Sequence, residues 1–113
     1  MAEDRLPTHL WIDAHLKRCS VMGISAVVVN SGQKMGGSVL LKIYQPEVGC
    51  RLMSQMRDLD GKLSWYCPHK EKYIQETDAD ALIKKSISRD PDLWVIEIDT
   101  KDGKVPVENI NFQ

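Results

Sequence analysis

The segment Asp90-Pro91-Asp92-Leu93-Trp94-Val95-Ile96-Glu97-Ile98-Asp99 constrains the fold more than any other stretch of the chain. Proline disfavours the α region for the residue before it, so a helix arriving from the N-terminal side has to stop at Asp90. The residues that follow are apolar, β-branched and aromatic. Trp94, Ile96 and Ile98 fall on one face at period two, while Leu93 and Val95 keep the other face apolar over its first half. A strand apolar on both faces is usually sheltered on both. The segment therefore reads as a sheet strand with little exposure, entered from a helix.

The rest of the chain supplies the partners. Thr8 is the expected N-cap of a first helix, in which Ile12, Leu16, Cys19 and Met22 recur at helical spacing before Gly23 ends it. Ala26 to Val29 and Ser38 to Tyr44 read as two strands separated by a glycine-rich turn. Cys50 to Leu59 reads as a third strand, and Asp60-Gly61 is the strongest hairpin signal present. A two-residue turn there sets Met56 opposite Trp65. One face then collects Leu52, Ser54, Met56, Leu63, Trp65 and Cys67, taken as the core side, and the other collects Arg51, Met53, Gln55, Arg57, Lys62, Ser64 and Tyr66. Thr77-Asp78-Ala79-Asp80 opens a second helix with Ala79, Leu82, Ile83 and Ile87 as its apolar stripe. The expected architecture is α+β: order α-β-β-β-β-α-β, an antiparallel-rich mixed sheet with both helices on one face. The Trp94 strand should lie parallel to a neighbour, at an edge or in the centre. Trp65, Trp94, Leu16, Ile12, Leu82 and Ile83 are the expected core anchors.

Length and charge narrow the class. The 113 residues read as one domain, 1–113, with a compact core over about 5–103 and a tail over 104–113. A net charge of −1 gives no global reason to expect nucleic acid, a membrane or an acidic substrate. No apolar run approaches the roughly 20 residues of a membrane helix. Cys19, Cys50 and Cys67 show no Cys-x-x-Cys spacing, so reduced thiols in a cytoplasmic protein are expected.

Three blocks carry a family resemblance: Arg5 to Leu16, Gln55 to Gly61, and Asp90 to Glu97. In that order they resemble an uncharacterised family of small bacterial proteins, known only as a domain of unknown function, over nearly the whole chain. The resemblance implies a soluble bacterial single-domain protein and supplies no reaction, cofactor or catalytic residue.

Read for chemistry, the sequence offers weak constellations. His9, Asp13 and Lys17 share a helix face, but a metal site needs three or four ligands and no third is nominated. Cys67-Pro68-His69 places a thiol two residues from an imidazole without a nominated orienting group. Leu40 stands two before Lys42, where metal-dependent nucleases with a restriction-endonuclease-like core carry an acid, which rejects that reading. No metal or cofactor is expected, and the balance leans away from an enzyme.

Two readings of function remain. The first is a binding module using the outer sheet face, with Lys42, Tyr44, Arg51, Gln55, Arg57 and Tyr66 as its binding residues. Its partner would be an acidic protein, single-stranded nucleic acid, or a second copy meeting it through Met53 and Leu40. The alternative is a small hydrolase-like enzyme whose site gathers His9, Asp13, Arg57 and Asp58.

Overall fold

A computed structural model describes residues 6–57 and 59–107. Its elements follow the expected order: α1 Thr8–Val21, β1 Ser25–Asn30, β2 Val39–Gln45, β3 Gly49–Arg57, β4 Leu63–Tyr66, α2 Glu76–Arg89 and β5 Trp94–Asp99. The five strands form one mixed sheet in the order β1-β5-β2-β3-β4. β2, β3 and β4 are an antiparallel meander. After α2 the chain re-enters the sheet as β5, between β1 and β2, parallel to β2 and antiparallel to β1. The position is the one its two apolar faces demand: Val95, Ile96 and Ile98 are wholly buried.

The helices lie on opposite faces of this sheet, which corrects the expectation that both would share one. Ile12 of α1 packs with Val39, Leu41, Ile43, Met53, Trp65, Trp94, Ile96 and Ile98. Ala79 and Ile83 of α2 pack with Leu40, Cys50, Leu52, Leu93 and Val95 on the other side. Alternation along β2 and β5 divides their side chains between the two cores, and each apolar face needs its own cover. The expected anchors therefore separate, with Ile12, Leu16, Trp65 and Trp94 under α1 and Leu82 and Ile83 under α2.

The hairpin register differs as well. Arg57 pairs with Leu63 and Gln55 with Trp65, so Met56 faces Ser64 instead of Trp65. The connection from Arg57 to Leu63 spans five residues, with Asp60 and Gly61 inside it. A one-residue slip exchanges the faces of a strand. Here it lets Trp65 join Met53 beneath α1.

Local chemistry fixes the ends. Pro7, not Thr8, is the N-cap of α1; the Thr8 hydroxyl donates instead to Gly37 O at 2.7 Å. Gly23, at φ 74°, and Ile24 donate their N–H groups to Ser20 O and Cys19 O, the paired bonds of a Schellman end. Gln75 rather than Thr77 caps α2. The loop after β1 crosses close over the entry to β5: a Cβ on Gly32 would collide with the Asp92 carbonyl, and Trp94 Nε1 donates to Gln33 O at 2.8 Å. Val105 and Val107, inside the stretch read as a tail, pack against the α1-side core.

Candidate functional site

The six residues expected to share an outer face do not share one. Alternation in β2 and β3 sends Lys42 and Tyr44 toward α2, and Arg51 and Gln55 toward α1. Tyr66, opposite Ser54, is on the α2 side of the sheet and 47% exposed. Gln55 Oε1 accepts the Val39 N–H. The Arg51 guanidinium lies 4.7 Å from the centre of the Tyr73 ring. Arg57 is the last residue of β3. Leu40 and Met53, expected at the centre of a dimer face, are buried under different helices. Among the described residues the sheet thus presents no single face that gathers these basic and aromatic side chains. Of the alternative set, His9 and Asp13 stand one turn apart on α1, and Asp58 lies outside the described residues.

What the sequence read as an exposed cation is the centre of an ion cluster. Lys42 Nζ donates to Glu76 Oε2 at 2.8 Å, Asp80 Oδ1 at 2.9 Å and Glu97 Oε1 at 3.2 Å. The lysine side chain is 5% exposed, whereas the carboxylates keep 49%, 57% and 30% of their surface. Burial pulls the ammonium pKa down, but the three hydrogen bonds more than offset it and hold it above the ordinary lysine range. Glu76 and Asp80 are one turn apart on α2 and Glu97 is on β5, so one cation ties the helix to the sheet. Burial also pushes the neighbouring Cys50 thiol up to about 11, which leaves it inert.

Two histidines are structural in the same sense. His69 Nδ1 lies 2.7 Å from Glu71 O and carries the ring proton, while Nε2 accepts the Leu52 N–H at 3.1 Å. The chain leaves the β3 ladder after Tyr66 and rejoins it where Cys50 and Ile74 exchange backbone bonds. The imidazole fills the gap between. Cys67 Sγ sits 3.4 and 3.3 Å from the two ring nitrogens, but both nitrogens are committed to backbone, so the ring is no base for that thiol. His15, 2% exposed, stacks on Trp11 with ring centroids 5.1 Å apart. Its Nε2 is 3.6 Å from Cys19 Sγ, and its Nδ1 is buried without a partner. Burial, helped by the Arg18 charge, lowers its pKa to about 4, so it is neutral at physiological pH.

Among the described residues no group of three His, Cys, Asp or Glu is placed to hold a metal, and no helix is long and apolar enough to cross a membrane.

The remaining candidate is an edge. Among the described residues β1 pairs only with β5, leaving its other side as a row of unpaired backbone groups. Its six residues, Ser25-Ala26-Val27-Val28-Val29-Asn30, contain no charge and no proline. Ala26 and Val28 pack beneath α1, whereas Val27 and Val29, on the side of the sheet that carries α2, are each 53% exposed. A register shift between Val28 and Asn30 marks a bulge at Val29. The opposite edge, β4, is only four residues long and is followed by Pro68. Sequence reasoning took β1 as a plain short strand; its lack of any edge-blunting residue was the available signal.

Comparison with known proteins agrees with this fold. The family model DUF1491, described as a protein of unknown function, matches residues 6–108. No curated protein matches the chain. A crystal structure of a DUF1491 family protein from Caulobacter crescentus is 31% identical, with a TM-score of 0.84 over 94% of this chain and 99% of that one. An NMR structure of a DUF1491 family protein from the same organism is 31% identical, with a TM-score of 0.83 over 95% and 97%. The solution structure of a protein from A. tumefaciens, 19% identical over 86% and 87%, shares the fold with a TM-score of 0.73.

Proposed function

The chain belongs to the DUF1491 family of proteins of unknown function, and on that premise we propose that it is an interaction module that takes up an extended segment at the outer edge of β1. The observation that supports this is the edge itself: six uncharged, proline-free residues with Val27 and Val29 more than half exposed. Strand addition supplies affinity through main-chain hydrogen bonds and selectivity through alternate side chains. Natural sheets guard their edges with charge, proline or short strands; this one leaves β1 with a bulge alone. A bacterial, cytoplasmic setting belongs to the same proposal, supported by the source of the similar structures and by cysteines that are all free.

The test is a selection from a displayed random-peptide library, followed by titration of the selected peptides onto the isotope-labelled protein. Amide shifts should concentrate at Ser25–Asn30 and the facing residues of β5, and Val27→Lys should remove them without moving the unfolding midpoint. Shifts centred elsewhere, or unaltered by Val27→Lys, would refute the reading.

A further inference from the structure

We infer that the segment taken up at the β1 edge is basic: an extended stretch of a partner protein with lysine or arginine at alternate positions, on the side of the sheet that carries α2. The inference rests on the strand-addition reading above and names the partner chemistry of that same edge. Register decides which side chains flank it, because residues directly opposite in a ladder share a face. Val27 pairs with Glu97 and Ser25 with Asp99; Glu97 in turn pairs with Lys42 and Asp99 with Tyr44. Both carboxylates therefore stand on the α2 side, one strand inward from the exposed valine. Glu97 keeps 30% of its side-chain surface, and Asp99 is exposed. Among the described residues Asp99 makes no ion pair, not even with Lys101 two residues along. Behind them Glu76 and Asp80 stay about half exposed although both bind Lys42. Four carboxylates stand against one buried cation here, beside a strand with no charge of its own.

The negative charge has a direction along the edge. Lys84 is one turn beyond Asp80, toward the end of α2 that leads into β5, and the start of β5 lies beside Asn30. The acid is thus concentrated beside Ser25 and Val27, and a cation on the added strand is favoured there over the Asn30 end. An added strand lies about 4.8 Å beyond β1, so its α2-side positions stand roughly 10 Å from Glu97 and Asp99. A lysine or arginine stem can lie across the Val27 methyl groups and carry its charge toward those carboxylates, covering the valine as it does so. A carboxylate on the added strand would instead meet like charge at about one screening length, roughly 8 Å at physiological salt. An apolar side chain would cover the valine and leave the acid unanswered. On the other face the added strand meets Ala26 and Val28, so the intervening positions suit β-branched residues.

The test titrates three short peptides, threonine alternating with lysine, glutamine or glutamate, onto the isotope-labelled whole chain at low and at physiological salt. The lysine peptide should shift the Ser25–Asn30 amides and bind about tenfold more tightly than the glutamine peptide at low salt, a margin that narrows as salt rises. The glutamate peptide should bind most weakly. Asp99→Lys breaks no ion pair among the described residues; it should weaken the lysine peptide about fivefold without weakening the glutamine peptide. The lysine peptide with its backbone amides N-methylated keeps its charge and loses its strand bonds, and should leave β1 unshifted. Equal affinity of the lysine and glutamine peptides at β1, or tighter binding of the glutamate peptide there, would overturn the inference and leave the strand-addition reading standing. Shifts at β1 from the N-methylated peptide would show a charge contact without strand pairing and overturn it. No β1 shift from the lysine peptide would overturn it as well; if library-selected peptides also leave β1 unshifted, both readings fall.

Discussion

Replacing Lys42 with methionine removes one charge and leaves a side chain of similar length. Three carboxylates then keep their places around a point that no longer holds a cation. Oxygens that sit 2.8, 2.9 and 3.2 Å from one nitrogen stand about 4–5 Å from one another if roughly tetrahedral, where a pair of charges repels by about 1 kcal/mol in water and about 4 kcal/mol at an effective dielectric of 20. Removing one partner of a fully buried pair costs about 3–5 kcal/mol. Glu76 and Asp80 keep about half their surface and can turn toward water, so the expected loss is smaller, about 2–3 kcal/mol. The assay is urea denaturation of native and Lys42→Met protein near neutral pH and again at about pH 4.5, where unpaired carboxylates begin to take up protons. The deficit should shrink by at least half at the lower pH, and adding Glu97→Gln to Lys42→Met should recover part of it. A midpoint unchanged by Lys42→Met, or a deficit equal at both pH values, would show that the cluster does not hold α2.

The remaining predictions concern the histidines and the core. His15 has a folded pKa of about 4 against an ordinary 6.5, so the unfolded chain binds its proton first. The stability tied to its neutrality is complete above about pH 6.5, falls through the window down to about pH 4, and totals up to about 3 kcal/mol. His15→Phe should flatten that part of the stability–pH curve, and a curve unaltered in that window would refute the assignment. His69→Ala strips the acceptor from the Leu52 N–H; about 1–3 kcal/mol should be lost and Leu52 should exchange its amide proton faster, with unchanged protection counting against the imidazole's role. Trp94→Ala deletes a side chain 8% exposed that also bonds Gln33 O, and should cost about 3–5 kcal/mol in a denaturant titration; an unmoved midpoint would mean that the residue carries no core contact.

The elements were legible because each has a local signature. Pro91 and the apolar run after it fix the end of α2 and the start of β5, and Gly23 fixes the end of α1. Which face each strand turns toward which helix was not legible from Asp60-Gly61. That pair also fits inside a five-residue connection, and one residue of loop length reverses every side chain of β4. A sounder signal was present in Val39, Leu40 and Leu41, consecutive apolar residues that already called for cover on both sides. The edge at β1 was hidden for a different reason. Whether Ser25–Asn30 ends the sheet depends on whether β5 docks inside β1 or outside it, a pairing made some seventy residues later in the chain.

Lys42 explains why a lysine stands on the covered side of a central strand. The apolar stripe of α2 that meets the sheet is Ala79, Leu82, Ile83 and Ile87. Sliding the helix by one turn toward its N-terminus would set Ile83 where Ala79 now sits without exposure, so packing already opposes the shift. The charged row beside the stripe is Glu76, Asp80 and Lys84, at steps of four. In the observed position Lys42 meets the first two. A slide of one turn toward the helix N-terminus would set Lys84 against Lys42 and leave only one helical carboxylate in reach. Like charge in place of an ion pair penalises that alternative around a lysine side chain that is 5% exposed. The buried cation thus adds little to net stability compared with an apolar isostere in an apolar site, and reinforces the placement of α2 that the fit of Ala79 already favours.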